Sequence, residues 1–150
     1  MNKWIDRYMN LTKEISKWSS CLRRQVGAII TVDRRIVATG YNGAPSGIMS
    51  CKERNQCMRE SVNSGEKLDE CLAVHAEQNA IAQAAKMGIS INNGELYVTT
   101  FPCVNCMKQI IASGITRIYY EENYNSPLSY TLAKEANIDI INVKENKYEN

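Results

Sequence analysis

Helical and strand-like segments alternate along the second half of the chain, and this alternation constrains the fold more than any other feature. Predicted helices at 73–88, 103–114 and 127–137 are each followed by a predicted strand, at 94–100, 115–121 and 138–143. Two earlier β-branched runs, 25–32 and 35–41, are separated only by "DR", which predicts an antiparallel hairpin. The order ββαβαβαβ predicts an α/β sandwich around a mixed sheet.

The remaining segments complete a single predicted domain over residues 1–150. Residues 3–19 have the periodicity of a helix, with an apolar face that includes Trp4, Ile5, Tyr8, Met9, Ile15 and Trp18. Residues 42–47 have the composition of a turn, and the charged tail at 144–150 is expected to fray. The polar, cysteine-containing stretch at about 48–71 lacks clean periodicity and is predicted to be an irregular insertion.

Composition excludes several classes of function. The chain is 44% apolar and 23% charged with a formal net charge of +2, which gives no support for a nucleic-acid or membrane partner. No apolar run approaches the roughly 20 residues that span a bilayer, and we expect a cytoplasmic protein. In that compartment six cysteines indicate metal binding or catalysis and not a disulfide framework.

A CxxC motif lies where the second of the alternating helices is predicted to begin. Cys103 and Cys106 follow Pro102, and their spacing of three places both sulfurs on one helix face. The positive end of the helix dipole favours their thiolate forms. This pair alone is compatible with a redox centre, half of a zinc ribbon, or two packed thiols.

The single histidine of the chain narrows these alternatives. Taken alone, His75 in "CLAVHAEQNAI" reads as a core histidine with a satisfied hydrogen bond. Together with Cys103 and Cys106 it makes three ligands, which is typical of a catalytic zinc site with one open position. Glu77 is then the expected general acid and base. Because residues two apart diverge by about 200° in a helix, His75 and Glu77 can share a site only at the helix start.

The pairing of HxE with PCxxC is the signature of zinc-dependent nucleobase deaminases. With "QVGAII", "TGYNGAPSG", "VHAEQNAI", "LYVTTFPCVNCMKQIIASGI" and "RIYYEENY", the chain resembles the deoxycytidylate (dCMP) deaminase family of the cytidine-deaminase-like superfamily. The resemblance covers most of residues 20–130. It implies a three-layer α-β-α sandwich with a five-stranded mixed sheet and the two zinc-bearing helices side by side.

The resemblance also implies a reaction, the hydrolysis of dCMP to dUMP and ammonia, which supplies dUMP for thymidylate synthesis. Zinc on His75, Cys103 and Cys106 is expected to activate water, and Glu77 to carry its proton to the pyrimidine N3. Hydroxide then attacks C4, and Glu77 delivers a second proton to the departing amine. The Ala76 N–H is expected to meet the pyrimidine O2.

The resemblance further implies the substrate contacts. Asn42 matches a residue that contacts base and sugar, although a plain turn asparagine is the alternative. Arg24 and Tyr124 match positions near the phosphate, where an arginine can donate in a bidentate fork. Neighbouring Arg23 is the alternative to Arg24, and a solvated charge is the structural alternative for both.

Four cysteines lie outside the predicted catalytic site: Cys21, Cys51, Cys57 and Cys71. Four is the number that closes a structural zinc site, although buried thiols are the alternative. Some relatives carry a second zinc in this region, with cysteines matching Cys21 and Cys51, and we extend that site to Cys57 and Cys71.

The resemblance implies a homo-oligomer, often a hexamer, regulated by dCTP and dTTP with Mg²⁺, and the "GYNGAPSG" loop is the expected effector site. Several alternatives stay open. The enzyme could act on another cytosine nucleotide, on a free nucleoside or guanine, or on a tRNA base. The fold could also serve a non-catalytic role in DNA uptake, but a zinc scaffold would not need Glu77.

Overall fold

The computed structural model describes residues 2–148 of the chain, and its centre is one five-stranded sheet. The strands are β1 (Gly27–Val32), β2 (Arg35–Tyr41), β3 (Glu95–Thr100), β4 (Arg117–Glu122) and β5 (Asp139–Asn142). Their order across the sheet is β2-β1-β3-β4-β5. The β1 strand is antiparallel to both β2 and β3, whereas the pairs β3–β4 and β4–β5 are parallel. The predicted mixed sheet is therefore confirmed.

Helices cover both faces of this sheet. On one face lies α1 (Lys3–Ser16), and on the other lie α3 (Ala76–Met87), α4 (Val104–Ala112) and α5 (Pro127–Glu135). Side chains alternate between the two faces along each strand, so Ile29 contacts the α1 side whereas Ala28 and Ile30 contact the opposite side. The three-layer α-β-α sandwich is the predicted fold class, and it is confirmed.

The first helix is shorter than its periodicity predicts. It ends at Ser16, and the Trp18 side chain, expected on the buried face, is 58% exposed. The chain turns at this point because the buried Ser19 hydroxyl donates to the carbonyl oxygen of Asn42 at 2.7 Å. This hydrogen bond ties the end of α1 to the turn that follows β2.

The segment between β2 and α3 contains little regular structure. It holds one four-residue helix, α2 (Cys51–Arg54), which the sequence did not predict and which begins with a capping box between Ser50 and Glu53. One 3₁₀ turn follows at Leu68–Glu70. The tail expected to fray forms a 3₁₀ turn at Glu145–Tyr148, and residues 149–150 lie outside the described residues. No helix within residues 2–148 has the length and apolar character that crossing a membrane requires.

Gly40 sets how closely α3 approaches the sheet. A Cβ atom on Gly40 would lie 2.2 Å from the carbonyl oxygen of Ala76 and 2.7 Å from the backbone nitrogen of Ala80. Only glycine permits this contact, because any side chain would collide with the backbone of the first helical turn. The start of α3 is thus pressed against the end of β2.

Candidate active site and metal centre

The start of α3 is where His75 and Glu77 are brought together. His75 is the N-cap residue with an extended backbone, and its N–H donates to the side-chain oxygen of Gln78 at 3.0 Å. The preceding residue, Val74, is held by a pair of backbone hydrogen bonds to Gly43. Because His75 lies just outside the helix and Glu77 lies in its first turn, their side chains can serve one site. The predicted helix over 73–88 therefore begins at Ala76, as that geometry requires.

The start of α4 supplies the two thiols. Cys103 is the N-cap of this helix, and Cys106, one turn further on, is completely buried. The loop from β3 into α4 is held by α5, where the Ser129 hydroxyl donates to the Pro102 carbonyl oxygen at 2.8 Å. Two helix starts, reached from different strands of one sheet, thus converge.

The three predicted ligands form one cluster. The His75 Nδ1 atom lies 3.2 Å from the Cys106 Sγ and 3.5 Å from the Cys103 Sγ. This is the one group of three or more metal-ligating side chains within residues 2–148 whose ligand atoms all lie within 4.8 Å of one another. In a tetrahedral zinc site, nitrogen and sulfur ligands lie about 3.5 Å apart. The donor set and the spacing therefore fit Zn²⁺.

Mutual hydrogen bonds shift the pKa values of the ligands. The thiol of Cys106 donates to Cys103 and holds the pKa of Cys103 down to about 4, with a further contribution from His75. The same hydrogen bond, together with burial, raises the pKa of Cys106. The hydrogen bond to Cys103 also raises the pKa of His75. The lowered pKa keeps Cys103 as a thiolate at neutral pH, which is the form that binds a metal ion.

Glu77 is buried beside this cluster, with only 5% of its surface exposed. Burial raises the pKa of its carboxyl group, while the nearby His75 opposes that shift. A carboxyl group whose pKa is raised toward neutrality is suited to accepting and returning a proton. Since His75, Cys103 and Cys106 complete the ligand set, Glu77 remains available for that role.

A cavity of about 230 Å³ opens in front of the cluster. All the predicted substrate contacts line it, namely Arg24, Asn42, Ala76 and Tyr124, and so does the alternative residue Arg23. The Arg24 guanidinium lies 5.3 Å from the centre of the Tyr124 ring. The Asn42 side chain accepts from the Val26 N–H and donates to the Arg24 carbonyl oxygen, so it also shapes this wall.

The insertion also faces this cavity, and sequence analysis missed part of its contribution. Arg59, Met58 and Leu68 line the cavity together with Cys21, Cys51, Cys57 and Cys71. In this segment the sequence singles out only the cysteines, because an isolated arginine in an aperiodic stretch is usually a solvent-exposed charge. The sequence signal that could have pointed to Arg59 is its position between two predicted metal ligands, Cys57 and Cys71.

The four remaining cysteines surround one region but are spread out. Within residues 2–148, no three of their sulfur atoms come within 4.8 Å of one another. Burial raises the pKa of Cys51, and the charges of Cys57, Cys21 and Cys71 raise it further. The Arg23 N–H donates to the Cys21 sulfur at 3.4 Å.

Two helix starts that present a histidine, two cysteines and a buried glutamate beside a cavity define the class of zinc-dependent nucleobase deaminases. The comparisons with known proteins agree with this class. The family model described as "Cytidine and deoxycytidylate deaminase zinc-binding region" matches residues 2–122. The chain belongs to this family, so the predicted membership is confirmed.

Curated relatives include a deoxycytidylate deaminase of Schizosaccharomyces pombe, 37% identical over 81% of this chain and 38% of that protein. ComE operon protein 2 of Bacillus subtilis is 35% identical over 94% of this chain and 71% of that protein. Among solved structures, the dCMP deaminase of cyanophage S-TIM5 in complex with dCMP and dUMP is 30% identical. Its TM-score is 0.81, and the match covers 95% of this chain and 98% of that one.

Proposed function

We propose that this protein is a zinc-dependent hydrolase that deaminates dCMP to dUMP and ammonia and so supplies dUMP for thymidylate synthesis. The observation that carries the proposal is the buried Glu77 beside the His75, Cys103 and Cys106 cluster at the wall of one cavity. Relatives named deoxycytidylate deaminase, and a similar structure that holds dCMP and dUMP, support the choice of substrate.

The residues of this chain divide the chemistry between them. His75, Cys103 and Cys106 would hold a zinc ion, which would supply a bound water with a pKa lowered toward about 7. Glu77 would accept a proton of that water and transfer it to the pyrimidine N3 while the water oxygen bonds to C4. Glu77 would then take the proton of the resulting C4 hydroxyl group and deliver it to the departing amine, so one buried carboxylate acts first as base and then as acid.

Substrate binding is assigned to the walls of the cavity. Ala76 is the first residue of α3, where backbone N–H groups have no partner within the helix, so its N–H can donate to the pyrimidine O2. Asn42 is proposed to contact base and sugar through its second amide N–H. Arg24 and Tyr124 are proposed to face the phosphate, since both line the cavity.

The decisive experiment measures ammonia release from dCMP, deoxycytidine and dCTP at matched concentrations, with zinc-replete protein. We expect fast turnover of dCMP and little of deoxycytidine. Equal turnover of deoxycytidine would favour a nucleoside deaminase, and faster turnover of dCTP would favour another cytosine nucleotide. Inactivity on all of these would favour a tRNA-base deaminase or a non-catalytic competence-type role.

We also propose a second, structural zinc ion on Cys21, Cys51, Cys57 and Cys71. The four cysteines all line the cavity and have the donor chemistry of a closed zinc site. Metal analysis of the pure protein should give two zinc ions per chain, and Cys57→Ser should leave one while the catalytic zinc stays bound. One zinc per chain in the unsubstituted protein would contradict this site.

We propose that residues 1–150 form one deaminase domain, with the insertion at about 48–71. We also propose that this domain assembles in the cytoplasm as a homo-oligomer, for which a hexamer is the expected form. Exposed aromatic side chains such as Trp18 and Tyr41, in edge-to-face contact at 6.2 Å, support burial in an interface. We propose that dCTP and dTTP with Mg²⁺ bind at the 40–47 loop. Light scattering, and activity with and without dCTP, dTTP and Mg²⁺, test the assembly and its regulation.

A further inference from the structure

Arg59 brings a positive charge from the insertion to the wall of the active-site cavity. It is half-buried, whereas Arg23 and Arg24, the other arginines of that wall, are exposed. Its Nε atom donates to the Glu66 carbonyl oxygen at 2.7 Å, and its Nη2 atom makes a longer contact of 3.5 Å with the Asn63 carbonyl oxygen. The guanidinium is therefore held in place by the backbone of its own loop.

This part of the insertion is also tied to the segment before β1. The Arg23 Nη1 atom donates to the Arg59 carbonyl oxygen at 2.7 Å. This hydrogen bond joins the side chain of Arg23 to the backbone of Arg59, so two of the three arginines that line the cavity are connected. As a result, Arg59 faces the cavity from a segment that is anchored on both sides.

The charge of Arg59 is not neutralised by a carboxylate. Within residues 2–148, no ion pair joins Arg59, Arg23 or Arg24 to an acidic side chain. Glu77 is the only carboxylate among the residues that line the cavity. A guanidinium has five N–H donors, and two of those of Arg59 are used by carbonyl oxygens, which leaves three.

Arg59 lines the same cavity as three residues of the catalytic centre, namely His75, Glu77 and Cys103. A nucleotide whose base lies at that centre would extend into the cavity that Arg59 lines.

We propose that Arg59 binds the 5′-phosphate of the nucleotide and makes the site select nucleoside monophosphates over nucleosides. The inference rests on the proposed function for the identity of the nucleotide. A phosphate dianion accepts charge-assisted, bidentate hydrogen bonds from a guanidinium, and a guanidinium already fixed by its loop loses less conformational entropy on binding. The insertion would then form the part of the cavity wall that binds the phosphate of the substrate.

The test compares kcat/KM for dCMP and deoxycytidine in the unsubstituted protein and in three variants. Arg59→Gln is expected to lower kcat/KM for dCMP by about 10- to 100-fold, mainly through KM, and to change that for deoxycytidine less than about twofold. Arg59→Lys keeps the charge and should lose less. Arg54→Gln is the matched control, because Arg54 also donates to a backbone carbonyl within the insertion, at 3.0 Å, but does not line the cavity.

Two results would overturn the inference. Equal losses of kcat/KM on dCMP and deoxycytidine would mean that Arg59 only holds the insertion in place, and an unchanged kcat/KM for both substrates would mean that it does not contact the phosphate. Calorimetric binding of dUMP and deoxyuridine separates this failure from that of the proposed function. If the unsubstituted protein binds dUMP but does not turn over dCMP, a loss of dUMP affinity in Arg59→Gln would support the inference while the proposed reaction fails.

Discussion

Replacing Glu77 with glutamine removes the proton carrier from the site and leaves its shape intact. The side chain is 5% exposed and is not one of the three clustered ligands, so Glu77→Gln should retain zinc. General acid–base catalysis by one positioned group contributes about 10²- to 10⁴-fold, which corresponds to about 2.7–5.4 kcal/mol of transition-state stabilisation. We expect kcat for dCMP to fall by that factor with little change in KM. Ammonia release and metal analysis on the same preparation measure both quantities.

The same substitution predicts a pH-dependent difference in stability. Burial raises the pKa of Glu77 in the folded protein above its unfolded value of about 4.3, so ionisation in the folded state opposes folding. That penalty is absent at acidic pH and grows as the pH rises from about 4 through the folded pKa. We compare the melting temperatures of the two zinc-free proteins at each pH. The melting temperature of Glu77→Gln minus that of the unsubstituted protein should be larger at pH 8 than at pH 5.

Glu121→Gln is the matched control for the activity measurement. Glu121 is also buried, but it pairs with Lys13 at 3.0 Å and does not line the cavity. This variant should lose some stability while kcat stays within about twofold, since no step of the reaction needs it. If Glu77→Gln retained zinc and turned over dCMP within tenfold of the unsubstituted rate, the proton-transfer role assigned to Glu77 would be refuted.

Three further predictions concern the supports of the site. Gly40→Ala should lower the free energy of unfolding by about 1–3 kcal/mol and reduce activity, because the new Cβ would lie 2.2 Å from the Ala76 carbonyl oxygen. An unchanged melting temperature in a thermal scan would contradict this packing. In zinc-stripped protein at pH 6, iodoacetamide should modify Cys103 before Cys106, since the pKa of Cys103 is lowered to about 4 and that of Cys106 is raised; mass spectrometry showing equal rates would contradict this. Cys106→Ser should lose catalytic zinc and turnover together, as metal analysis would show.

Much of the fold and the catalytic centre could be predicted from the sequence because their signals are local. The strand and helix order follows from periodicity within short windows. The spacing of His75 and Glu77 placed them at a helix start, although the predicted helix began at residue 73 and the observed helix begins at Ala76. The single histidine and the one CxxC pair are short motifs, and they predict the ligands of the catalytic zinc site. The end of α1 was misplaced because the hydrogen bond from Ser19 to Asn42 joins residues 23 positions apart.

What the sequence alone determined about this protein is thus its fold class and the identity of the three zinc ligands and the buried carboxylate. Only the tertiary structure decided their spacing, the close contact at Gly40, and the placement of Arg59 and the insertion on the cavity wall. The physical reason is the separation along the chain of the residues that interact. Capping and amphipathic periodicity are interactions between residues a few positions apart. The cavity wall is instead assembled from segments far apart in the chain, and their contacts depend on how the layers pack.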